Sequence, residues 1–103
     1  MIRDVVSTKG RSPSGRQIFM FTTYVLKSLK NNKTYVGMTE KEPKIRLQEH
    51  NDGKTTWTSK NRPFKLIYYE QYYYKEDALL REKFLKSGVG NRLVKAISIE
   101  FGT

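Results

Sequence analysis

Five side chains stand out for the chemistry they could do together. Tyr24 sits in the run Thr23-Tyr24-Val25, and Tyr35 opens Tyr35-Val36-Gly37 eleven residues later. A glycine at a strand end lets another backbone or a ligand come close, although two tyrosines in strands also suit plain sheet packing. Arg46 and His50 are four residues apart and so share a helix face, with Glu42 one turn earlier. A guanidinium grips a phosphate through two hydrogen bonds. An imidazole donates to a phosphate or moves a proton near neutral pH. The same pair would also suit a solvated helix face. Glu82 falls inside an apolar arc, between Ala78 and Leu85 on one side and Leu79 on the other. A carboxylate there needs a partner. That partner is either a lysine or a divalent metal, since Mg²⁺ is often held by one or two carboxylates with water and phosphate completing its shell.

These residues need elements to hold them. Residues 1–17 are rich in Gly, Ser and basic side chains without a hydrophobic period, and read as a flexible basic arm. Residues 18–103 read as one domain. Ile18 to Leu26, β-branched and aromatic, predicts a strand. Asn31-Asn32-Lys33 predicts a turn, and Thr34 to Met38 a second strand completing an antiparallel hairpin. Thr39-Glu40-Lys41-Glu42 has the form of a capping box, while Pro43 could instead set the start at Glu42. That helix carries Arg46 and His50 and stops at Asn51-Asp52-Gly53. Lys54 to Arg62, polar with one Trp, reads as a loop, and Phe64 to about Tyr73 as a third strand. Asp77 is expected to cap a helix through Lys86 that Gly88 closes. Asn91 is expected to cap a last helix bearing Leu93, Val94, Ile97 and Phe101. The predicted class is α+β: a three-stranded antiparallel sheet flanked by helices, in the order β-β-α-β-α-α.

Lys and Arg number 20 against 10 acidic residues, a formal charge of +10 in 103 residues. An excess of that size points to a polyanion, because each phosphate neutralised releases counterions. With no cysteine, a disulfide framework and Cys-ligated zinc or iron–sulfur sites are excluded. No run approaches the ~20 apolar residues of a membrane span. Charges throughout Met1 to Phe19 argue against a secretory signal. A cytoplasmic protein without membrane partners is expected.

Taken in order, Thr23-Tyr24-Val25, Tyr35-Val36-Gly37, Arg46-Leu47-Gln48-Glu49-His50-Asn51 and Ala78-Leu79-Leu80-Arg81-Glu82-Lys83-Phe84-Leu85-Lys86 resemble the signature of the GIY-YIG nucleases. Arg62 to Glu70 is similar to the third strand of small standalone members, and the likeness runs from about Phe21 to Ala96. The resemblance implies an endonuclease that hydrolyses phosphodiesters by water attack with one divalent metal, Mg²⁺ or Mn²⁺, and a place in DNA repair or recombination. By the same resemblance Glu82 is the metal ligand, and Arg46 steadies the phosphate. One of Tyr24 and Tyr35 is the general base and the other orients water or phosphate. His50 assists proton transfer or binds phosphate. The implied substrate is DNA, or RNA. Thr23 and Val25 depart from the first tripeptide, and Met38 stands where some members carry lysine. With no attached specificity module in view, the domain is expected to cut weakly, to cut unselectively or to rely on a protein partner for selectivity. The alternative is a non-catalytic nucleic-acid-binding module of the same fold.

Overall fold

The computed structural model describes residues 20–102; the basic arm and the start of the first predicted strand lie outside them. The chain runs β1 (Phe21–Ser28), β2 (Thr34–Thr39), α1 (Pro43–Asn51), α2 (Thr56–Asn61), β3 (Phe64–Tyr72), α3 (Lys75–Lys86) and α4 (Gly88–Phe101). The strands form one antiparallel sheet in the order β2-β1-β3. This is the expected α+β architecture, with one short helix added.

Strand alternation divides the sheet into two faces. Tyr24 and Leu26 pack with Phe64, Tyr35, Leu47, Leu66 and Tyr69 on the α1 side. Val25 packs with Val36, Ile67, Tyr68 and, from the two last helices, Leu85, Val94 and Ile97. Ile67 and Tyr68 are consecutive yet join the same cluster. The cause is a register shift against β1, where Val25 faces Tyr68 but Leu26 faces Leu66. The extra residue of such a bulge resets the alternation.

The β1–β2 turn is as expected: Asn32 adopts φ 64°, which asparagine tolerates better than most residues. Four local readings need correction. Thr39 does not cap a helix; it stays in β2 opposite Thr22. Glu42 is the N-cap, without a side-chain bond, and Pro43 follows inside the first turn. The loop expected over Lys54 to Arg62 contains α2, capped by Thr55, whose side chain accepts from the Thr58 N–H. Asp77 does not cap α3, which begins at Lys75, so Glu76 and Asp77 lie in its first turn, where acidic groups complement the helix dipole. Nor does Gly88 end one helix and Asn91 open another. Ser87 is the cap of α4, its hydroxyl accepting from the Gly90 N–H at 3.1 Å.

Candidate active site

Tyr24 lies opposite Gly37 in the β1–β2 register. Its ring crosses the glycine so closely that a Cβ on residue 37 would stand 2.5 Å from the phenol oxygen and 2.6 Å from Cζ. Gly37 is therefore required by the close approach of a side chain. The ring is 2% exposed, and its hydroxyl lies 2.7 Å from His50 Nε2. Arg46 Nε donates to the same hydroxyl over a longer 3.4 Å. Tyr35 joins them, its ring centroid 5.0 Å from that of His50 and 6.3 Å from that of Tyr24.

α1 is held in place at its end. The Asn51 side chain accepts from Phe64 N at 2.7 Å and donates to Phe64 O at 3.2 Å, acting as an extra strand residue beside β3. Glu49 orients Arg46 by accepting from its Nη1 at 2.8 Å, and it also bonds the Lys41 ammonium.

Burial governs the proton chemistry here. It pushes the Tyr24 phenol up to about 12, against the lowering effect of the Arg46 hydrogen bond and with smaller upward contributions from Tyr35 and Glu82. Burial, then the Arg46 charge, pushes His50 down to about 4, so the imidazole is neutral at physiological pH. Its Nδ1 is buried and meets no hydrogen-bond partner among the described residues. An orphaned N–H is rarer in native interiors than an under-used acceptor. That argues for a proton on Nε2, donated to Tyr24, but the neutral phenol's own O–H then lacks an acceptor among the described residues; in the other tautomer the phenol donates to Nε2.

Glu82 arrives from the other side of the sheet on α3. Two contacts fix that helix. Thr23 Oγ1 donates to Ala78 O at 2.6 Å. The buried Glu70 accepts from Arg81 Nε at 2.9 Å and Nη2 at 3.1 Å, and also from the Tyr68 and Tyr72 hydroxyls. Tyr72 is thus tied down by Glu70. Burial raises the Glu70 carboxyl, but those hydrogen bonds outweigh it and hold the group below its ordinary value. Glu82, which follows Arg81 on α3, is near enough to Tyr24 for its charge to act on the phenol. Glu82 Oε2 accepts from Lys86 Nζ at 3.0 Å, and that ammonium stands 5.8 Å from the Tyr35 ring centroid. Tyr24, Tyr35, Arg46 and His50 are thus in direct or ring contact, whereas Glu82 bonds Lys86, whose ammonium lies over the Tyr35 ring.

Among the described residues no group of three or more His, Cys, Asp or Glu side chains could enclose a metal. A single carboxylate still fits a Mg²⁺-type ion, whose other positions go to water and substrate oxygens. Glu82 keeps acceptor capacity beyond its one lysine bond, and its side chain is 20% exposed. Sequence reasoning missed Glu49, Lys86 and the Glu70–Arg81 clamp. The helical steps from Glu82 to Lys86 and from Arg46 to Glu49 were readable signals; the Glu70–Arg81 clamp depends on a tertiary contact.

A family model, the GIY-YIG catalytic domain, matches residues 20–93. A search of curated proteins gives no significant match. Among solved structures, the chain is similar to a UPF0213 protein from Bacillus halodurans determined by solution NMR. The two share 25% identity over 81% of this chain and 87% of that one, with a TM-score of 0.48.

Proposed function

The chain belongs to the GIY-YIG catalytic-domain family, and we propose that it is a metal-dependent endonuclease hydrolysing phosphodiesters in DNA. The observation that carries this reading is the convergence of His50 Nε2 and Arg46 Nε on one phenol oxygen, at 2.7 and 3.4 Å, beside the Glu82–Lys86 pair.

Arg46 Nε, and His50 Nε2 in the tautomer that carries its proton there, favour the phenolate of Tyr24. Tyr24 is thereby the group suited to take the proton of the attacking water. With the phenol at about 12, further positive charge has to arrive before it ionises near neutral pH. The N–H groups of Arg46 not engaged by Glu49 or Tyr24 face the task of gripping the phosphate and stabilising charge on its oxygens. Tyr35 orients water or phosphate. Glu82 holds the divalent ion, which when bound supplies Lewis acidity to the phosphate and acidifies neighbouring groups.

The test is plasmid nicking with Mg²⁺ or Mn²⁺, with and without EDTA, for the parent, Glu82→Gln and Arg46→Ala. The parent nicks only with metal, and both variants lose at least about a hundredfold, in line with the loss of a transition-state contact. Nicking by Glu82→Gln at the parental rate would remove the metal assignment. The Glu82–Lys86 ion pair favours a second reading, a binding module without turnover. Salt-sensitive DNA binding with no cleavage under any metal would establish it.

A further inference from the structure

The surface beside Tyr35 continues along the β2 side of the sheet. β2 is an outer strand, and two shallow depressions run beside it with Trp57 as a wall of both. One is lined also by Tyr35, Lys86 and Asn91. The other is lined by Lys33 and Lys95. Neither lining contains an acidic side chain.

Trp57 is 39% exposed although two rings back it, Tyr35 at 5.4 Å and Phe64 at 5.8 Å between centroids. Its helix is fixed to the hairpin turn. Asn31 Nδ2 donates to Asn61 Oδ1 at 2.8 Å, Ser28 Oγ donates to Asn61 O at 2.5 Å, and Asn61 Nδ2 donates to Trp57 O at 2.8 Å. The indole is thus a braced aromatic surface with lysines on both sides.

That pattern selects among polyanions. A duplex offers phosphates but keeps its base faces stacked inside. An unpaired strand offers phosphates and flat apolar bases in alternation, the chemistry that grooves of lysine and aromatic side chains take. We propose that this edge groove binds a single-stranded stretch of nucleic acid leading away from the candidate centre. An unpaired base packs on Trp57. Its flanking phosphates pair with Lys86 on the Tyr35 side and with Lys33 and Lys95 on the other. Asn91 supplies an amide for a base edge or sugar. The inference rests on the endonuclease reading and adds a substrate class: a strand unpaired next to the cut.

The test uses the full chain in EDTA, so that binding is read without cleavage. Trp57 is the sole tryptophan, so its fluorescence reports the groove directly. A short oligothymidylate is compared with the same strand annealed to its complement, at equal phosphate concentration. The single strand is expected to quench the indole and the duplex to leave it unchanged. Trp57→Ala weakens single-strand binding about tenfold. Because Trp57 also packs against Tyr35 and Phe64, a second variant, Lys33→Gln with Lys95→Gln, changes only exposed lysines. It should flatten the salt dependence by about 0.7 per lysine. Equal quenching by duplex, or an unchanged salt slope in the lysine variant, overturns the groove. So does quenching by an acidic peptide alone, which would assign the edge to a protein partner. Single-strand binding without cleavage of any substrate under Mg²⁺ or Mn²⁺ refutes the nuclease and leaves the groove standing. Cleavage of fully paired DNA without single-strand binding does the reverse.

Discussion

Replacing Gly37 with alanine sets two effects of opposite sign against each other. In a strand interior alanine ordinarily gains ~0.5–1 kcal/mol over glycine, because less backbone freedom is lost on folding. Here the added Cβ would lie 2.5 Å from the Tyr24 hydroxyl, 2.6 Å from its Cζ and 3.0 Å from Tyr35 Cε2. Ordinary contact begins near 3.4 Å, so the Tyr24 ring has to retreat by roughly 1 Å. It has nowhere to go, being 2% exposed with the fully buried His50 against its hydroxyl. Overpacking of this kind costs about 1–3 kcal/mol. Stretching the 2.7 Å bond to His50 leaves buried polar atoms under-satisfied, for about 1–3 kcal/mol more. The clash wins, with a net destabilisation on the order of 2–4 kcal/mol and a Tm lower by about 10 °C or more. Nicking measured where the variant is still folded should fall about a hundredfold, the usual consequence of displacing a reacting group by ~1 Å. Combining it with Tyr24→Phe removes the oxygen but not Cζ, so the double variant recovers part of the stability and none of the activity. A Gly37→Ala protein that melts at or above the parent and nicks at the parental rate would show that Tyr24 is not wedged over residue 37.

Three further outcomes follow from the same packing. His50 is held at about 4 when folded against 6.5 in the unfolded chain. The unfolded chain therefore protonates first, and the His50 contribution is full above pH 6.5 and lost as pH falls toward 4. Urea titrations should show the stability difference between parent and His50→Gln shrinking by on the order of 2–3 kcal/mol across that interval; a constant difference would mean the imidazole is not buried neutral. Arg81→Ala leaves the buried Glu70 carboxylate with tyrosine donors alone. It should cost roughly 3 kcal/mol at neutral pH, and the deficit should close below pH 4.5, since the depressed Glu70 stabilises the fold only while ionised. A Cβ at Gly90 would meet Phe84 O at 1.8 Å and Leu85 Cα at 2.7 Å, whereas at Gly88 nothing lies within 4 Å. Calorimetry should find Gly90→Ala strongly destabilised, by ~3 kcal/mol or more, and Gly88→Ala neutral or slightly stabilised.

The strands were legible because Ile18 to Leu26 and Phe64 to Tyr73 are rich in the β-branched and aromatic side chains that suit a sheet, and because Asn32 suits a left-handed turn. Helix starts were less so, because several residues compete for each cap and tertiary pairing chooses among them. Thr39 is claimed by Thr22 across the sheet, which leaves Glu42 before Pro43. Gly88 and Gly90 look like a break between helices. In fact α4 begins at Gly88, and Gly90 is small because the end of α3 presses on it. α2 has six residues, is polar and has no period. Its order comes from the Thr55 cap and from bonds to Asn31 and Ser28, partners distant in sequence.

The chemistry-bearing residue types were legible for a different reason: few side chains can grip a phosphate, share a proton or hold a hard cation. Their partners were legible only where a helical step supplies them, as Lys86 does for Glu82, and this divides the site in two. Tyr24 and His50 are core residues as well as candidate reactants, so any change to them mixes stability with activity. Glu82 sits in an i,i+4 pair with Lys86, an ammonium half in solvent, and such pairs contribute only about 0.3–0.5 kcal/mol. Glu82→Gln should therefore keep Tm within about 3 °C of the parent while abolishing metal-dependent nicking. Tyr24→Phe should lower both, since it strips a partner from His50 Nε2 in a site where, among the described residues, Nδ1 already has none. Thermal melts and nicking rates of the two variants, run side by side, discriminate: a large fall in Tm for Glu82→Gln would mean that its carboxylate braces α3, and its loss of activity would then say nothing about a metal.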